Sequence, residues 1–165
     1  MTSLTKQKQI AGLGAWLIVV FIAAGFGAAA SVDAGPFYTR LDRPGWAPPP
    51  SIFGPVWGIL YVLMGIAAWW IWRSGGVRTA RYALSLFLAQ LALNALWSWL
   101  FFGWHRGALA LADILALWVL IVATLIAFWR IRPLPGALLI PYLLWVSFAC
   151  VLNYSVWQLN PQVLG

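Results

Sequence analysis

Residues 46–61 read W-A-P-P-P-S-I-F-G-P-V-W-G-I-L-Y, and they hold four of the chain's ten prolines and two of its thirteen tryptophans. Pro48, Pro49 and Pro50 fix φ and offer no N–H donors, so the first half is extended or turning backbone. From Ser51 the pattern becomes helical. Ser51 is a candidate N-cap, and Pro55 falls near the first turn, where a missing donor costs little. Trp57 and Tyr61 then lie one turn apart on one face. A stiff aromatic loop feeding such a helix reads as the lid and one wall of a pocket. It reads equally as a proline-rich connector with interfacial aromatics.

Composition sets the solvent. The 165 residues are 64% hydrophobic and 8% charged, with a mean hydropathy of +0.89, whereas soluble domains carry about a quarter charged residues. The expectation is an all-α integral membrane protein with one domain over 1–165. Five apolar runs, at about 10–31, 52–73, 79–102, 106–129 and 135–157, are long enough for about 30 Å of hydrocarbon. The first run follows Lys6 and Lys8 and resembles a signal peptide, but it exceeds the usual ~7–15 apolar residues, so a retained helix is expected. Its small pairs Ala11/Ala15, Ala24/Ala28 and Gly25/Ala29 permit close helix approach.

The formal charge of +7 sits at the ends of these runs, which points to bilayer orientation rather than nucleic acid. Lys6, Lys8, Arg73, Arg78, Arg81, Arg130 and Arg132 share one side; Arg40, Arg43 and Arg106 share the other. The N-terminus is therefore expected in the cytoplasm, with the C-terminus and the long loop 32–51 outside. Five unmatched spans argue against a transporter built from repeated halves. The single Cys150 excludes an intrachain disulfide.

Polar groups within the runs mark candidate sites. Gln90, Asn94 and Trp97 share a face of the third helix, and Trp145, Ala149 and Asn153 share a face of the fifth. Such amides line a cavity or bond neighbouring helices as glue. Pro141 bends the fifth helix or lies in its opening. Asp113 is the only acid in a span; a cap or an ion pair is expected, with a proton relay as the alternative. Trp16, Trp69, Trp70, Trp72, Trp104, Trp129 and Trp157 fall at span ends, as interfacial anchors do, while Trp97, Trp118 and Trp145 lie deeper. With His105 the only histidine, neither a metal cluster nor a Ser-His-Asp set can be assembled. No metal or required cofactor is expected. Tryptophan faces are the chemistry that remains.

Three segments carry a specific resemblance: the stretch from Trp46, Q-L-A-L-N-A-L-W-S-W-L-F-F-G from Gln90, and P-Y-L-L-W-V-S-F-A-C-V-L-N-Y-S-V-W from Pro141. With the five-run pattern, the chain resembles the TspO/MBR family of tryptophan-rich sensory proteins and translocator proteins. The resemblance implies a five-helix bundle, a homodimer in a bacterial cell membrane, and a lidded cavity for porphyrins such as protoporphyrin IX or for isoquinoline and benzodiazepine-type ligands. Carried over by position, the cavity residues are Trp57, Asn94, Trp97, Trp145, Ala149 and Asn153, with Tyr61 added from its helix face. Trp57 and Trp145 match tryptophans tied to light-dependent porphyrin breakdown. The lid residues are Arg40, Arg43 and Trp46, with the arginines expected to pair with porphyrin propionates.

Two departures stand out. No Lys or Arg follows Tyr154, which puts cholesterol binding in doubt. Leu109 stands where many members have tryptophan early in the fourth helix, so one cavity wall is expected to differ. Three functions follow: a tetrapyrrole receptor or transporter-like sensor, a photo-oxidative porphyrin-degrading protein, or a structural assembly partner.

Overall fold

The structure, a computed structural model, describes residues 5–165, excluding the side chains of 76–79 and hence that of Arg78. All regular structure among these residues is helical. Five segments are long and apolar enough to cross a bilayer: Lys6–Ala29, Pro50–Arg73, Ala80–Gly103, Gly107–Ile131 and Pro133–Leu159. The chain is an integral membrane protein.

The first span is α1 (Lys6–Ala29), capped at its start by the Thr5 hydroxyl. The long loop is not wholly irregular, because it contains a short helix, α2 (Ala34–Arg40). The proline run ends in a 3-10 turn (Pro50–Ile52) that leads into α3 (Phe53–Arg73). Ser51 is thus inside the turn and does not cap the helix. With Pro50 opening that turn, its missing N–H costs nothing.

Next come α4 (Gly76–Ser98), continued by a π turn (Trp99–Gly103), and α5 (Gly107–Ile131). Buried residues on α5 run Ala110, Asp113, Ile114, Leu117, Ile121, Thr124 and Phe128, the stripe expected of a helix packed on one face. A short α6 (Pro133–Ala137) precedes α7 (Ile140–Leu159), with Pro141 in the first turn. Its ring therefore opens the helix rather than bending it. The chain ends in α8 (Pro161–Leu164).

Helix α1 packs on α3 and α4, α5 packs on α4 and α7, and α6 lies on α3. Glycines make the closest approaches, at positions other than the small pairs of the first run. A Cβ on Gly65 would stand 2.7 Å from Leu17, and one on Gly12 would run into the Trp72 ring. One on Gly107 would stand 2.5 Å from the Trp157 ring. These contacts join α1 to α3 and α5 to α7, whereas α3 and α7 make few close backbone contacts.

Two contacts hold the lid. His105 adopts a left-handed backbone (φ 54°) in the α4–α5 turn, a conformation in which histidine is enriched. Its ring lies 4.4 Å from that of Phe37 on α2. At the end of α7 the Asn160 side chain accepts from the Asp42 N–H at 2.9 Å and donates to the Asp42 carbonyl at 2.8 Å. Lid and C-terminus therefore share a side. Asn160→Ala removes both bonds to the exposed Asp42 backbone, at roughly 0.5–1.5 kcal/mol each. The expected outcome is at least tenfold faster deuterium exchange at the Asp42 amide, with exchange in α5 unchanged.

Candidate functional site

Between the spans lies a cavity of about 480 Å³, within the usual range of roughly 300–1,000 Å³ for small-molecule sites. The structure brings together Trp57 and Tyr61 of α3, Asn94 and Trp97 of α4, and Trp145, Ala149 and Asn153 of α7. All seven positions named for the pocket line this one space. Its remaining lining includes Phe21, Ala24 and Ala28 of α1, Tyr38 of α2, Phe53, Gly54 and Gly58 of α3, and Phe101 and Phe102 of the π turn. No lining residue is charged.

Its amides are already engaged. The Tyr61 hydroxyl donates to Asn94 Oδ1 at 2.6 Å, and Asn94 Nδ2 donates to the Tyr142 hydroxyl at 3.1 Å. Tyr142 in turn donates to Gln90 Oε1 at 2.8 Å. On the other wall the Trp97 indole donates to Asn153 Oδ1 at 2.9 Å, and Asn153 Nδ2 donates to the Gly107 carbonyl at 3.3 Å. Asn94 and Asn153 thus act as glue between helices while facing the cavity, so the two roles weighed from the sequence coincide. Buried polar groups satisfied in this way rigidify a site. Trp97 lies on Phe101 with ring centroids 5.2 Å apart and planes inclined by 15°, so its orientation is set from both sides.

By contrast, no hydrogen bond among the described residues holds the indole of Trp57 or of Trp145. Trp57 leans on Tyr61 at 5.5 Å, and Trp145 meets Phe53 at 5.8 Å and Phe148 at 5.5 Å. These two rings supply apolar faces and leave their N–H groups available to a guest.

Arg40 and Arg43 are exposed, and neither lines the cavity. Arg43 sits over the outer face of the lid, with its guanidinium 4.9 Å from the centre of the Tyr38 ring. Trp46 is half exposed and packs edge-on against Phe148 at 5.8 Å, outside the cavity lining. The lid loop contributes Ala34, Gly35, Tyr38 and Pro50 to the lining, and Tyr38 is its one polar side chain there. Burial pushes its hydroxyl above the ordinary tyrosine value, with Arg43 pulling the other way. It therefore stays a neutral group.

Three further expectations change. Leu109 is 56% exposed, so the missing tryptophan there alters the outer surface and not the cavity wall. Trp118 also faces outward, with its indole donating to Ser147 Oγ at 2.8 Å. Asp113 is buried, and its Oδ2 has neither a hydrogen bond nor an ion pair among the described residues. The expected cap or basic partner is not there. Among these residues no group of His, Cys, Asp or Glu is arranged to hold a metal.

The sequence profile of the TspO/MBR family matches residues 15–158. The chain belongs to the TspO/MBR family. It is 41% identical to the tryptophan-rich protein TspO of Chlorobaculum tepidum, over 94% of this chain and 99% of that one. It is 40% identical to the human translocator protein over 75% of each chain. It is 36% identical to the tryptophan-rich sensory protein of Cereibacter sphaeroides, over 88% of this chain and 92% of that one. Within this TspO/MBR chain, Gly54 and Gly58 are site residues that the sequence reading passed over. They share the Trp57–Tyr61 face at helical spacing, and that periodicity was the available signal. The α1 residues carried none, since a run of Gly, Ala and Phe looks the same toward lipid as toward a cavity.

Proposed function

We propose that the protein is a receptor or transporter-like sensor that binds tetrapyrroles of the protoporphyrin IX class in the α3–α4–α7 cavity. The observation that supports this best is a lidded, uncharged space bounded by the Trp57, Trp97 and Trp145 rings. A planar apolar macrocycle gains burial against each ring, plus roughly 0.5–1.5 kcal/mol per favourable aromatic contact. Carboxylates are costly to bury without a partner. The uncharged lining therefore orients the propionates toward the lid and water. The names "translocator" and "sensory" among the relatives are consistent with ligand handling in a membrane. In this reading the basic loops and the N-terminus face the cytoplasm of a bacterial cell, and the lid faces outward. A homodimer is part of the same proposal.

Titration of protoporphyrin IX into the reconstituted protein, followed by tryptophan quenching, tests it. Trp57→Ala/Trp145→Ala should weaken binding at least tenfold, about 1.4 kcal/mol. Arg40→Ala/Arg43→Ala should leave the affinity within about twofold, because neither side chain reaches the cavity. Equal affinity in the tryptophan double variant removes the cavity as the binding site.

A further inference from the structure

A second concavity of about 440 Å³ lies on the outer side of the seam between α3 and α7. Val56, Ile59 and Leu60 form one bank, and Leu144, Trp145 and Phe148 form the other. The lining contains no polar side chain. Ile59 is 63% exposed and Leu144 65% exposed, on two helices that cross the bilayer, so this groove opens into hydrocarbon. Trp145 belongs both to the groove and to the internal cavity. It is the partition between them. Trp97 and Trp118 are each latched by an indole hydrogen bond. Trp145 has none among the described residues and is held by packing, against the Phe53 and Phe148 rings among others. The lid side, meanwhile, is fastened by Asn160 on Asp42 and by His105 against Phe37.

We infer that a hydrophobic guest reaches the cavity from the acyl-chain layer through this groove, with the Trp145 ring as the gate. The inference rests on the ligand reading above. The partition is a single unlatched side chain, whereas the aqueous side requires several bonds to break. A guest already dissolved in hydrocarbon avoids the cost of returning to water. Rotation of one indole joins the groove to the cavity without moving a helix.

Stopped-flow quenching with protoporphyrin IX in nanodiscs tests the route. Val56→Phe/Ile59→Phe fills the groove from outside, and neither residue lines the cavity. Association and dissociation should both slow by about tenfold with the affinity unchanged, since a barrier alters both rates equally. Asn160→Ala should alter neither rate. Unchanged rates in the groove variant, or faster rates in Asn160→Ala alone, overturn the route. So does a lower affinity at an unchanged association rate, which makes the groove a resting site. A groove effect present only with two copies per disc assigns the groove to a second chain and also overturns it.

A ligand-independent arm uses phosphatidylcholine brominated along its acyl chains. The Trp145 emission, taken as the difference from Trp145→Phe, should be quenched, and Val56→Phe/Ile59→Phe should protect it. Absence of that quenching sinks the lateral route. Absence of porphyrin binding to the unsubstituted protein sinks the ligand reading, and the lipid arm still judges the groove.

Discussion

Gly58→Leu should abolish ligand binding while leaving the bundle intact. A Cβ at Gly58 meets nothing within 4 Å, yet the residue lines the cavity. An isobutyl group there grows into the cavity beside the Trp57 and Tyr61 rings, where the guest would lie. A guest lying against these rings has no compensating move, because Trp97 and Asn94 are fixed by their own hydrogen bonds. A loss of at least a hundredfold, about 2.7 kcal/mol, is expected. Stability should hold or rise, since leucine is a better helix former than glycine by several tenths of a kcal/mol. Quenching titration beside a thermal melt separates the two effects. Full affinity in Gly58→Leu would place the ligand elsewhere.

Tyr142→Phe should destabilise the fold more than its single missing oxygen suggests. Tyr142 is 1% exposed, and its hydroxyl joins Asn94 on one side to Gln90 on the other. Removing it strands an Asn94 N–H and a Gln90 carbonyl on two buried side chains. An unpaired buried polar group costs roughly 1–3 kcal/mol in water-soluble proteins, and interhelical bonds in bilayers are worth about 0.6–2 kcal/mol. A loss of about 2 kcal/mol is expected, read as a lower midpoint in denaturant titration of the detergent-solubilised protein. Adding Gln90→Met removes one stranded group, so the double variant should be more stable than the sum of the single changes. Strict additivity would mean that the three side chains do not form one network.

These two variants also separate the layers of the site. Gly58→Leu acts on the empty volume, and Tyr142→Phe acts on the scaffold that keeps it empty. Helices that lose their polar cross-links lose part of what fixes their spacing, because in a bilayer association rests on packing and interhelical hydrogen bonds.

Much of the molecule was legible in the chain. Five apolar runs and 8% charged residues require membrane helices, because only intrahelical bonding satisfies the backbone in hydrocarbon. The faces Gln90–Asn94–Trp97 and Trp145–Ala149–Asn153 follow from helical periodicity, which is a local property. The same periodicity marks Gly54 and Gly58 beside Trp57. The short helix in the long loop was less legible, because Pro36 and Gly35 mask its turn. Asn160 was invisible as a clamp: its partner, Asp42, is 118 residues away.

What the chain alone determined is therefore the solvent, the number of spans and which side chains share a helical face. Only the tertiary structure decided that the three marked faces meet around one cavity, that the arginines of the lid stay outside it, and that Trp145 divides it from the lipid. A helix face is set by bond geometry within a few residues. What that face meets is set by packing between segments far apart in sequence, in this case by glycine contacts such as Gly65 on Leu17 and Gly107 on Trp157, which draw α1 against α3 and α5 against α7 and leave α3 and α7 with few close backbone contacts.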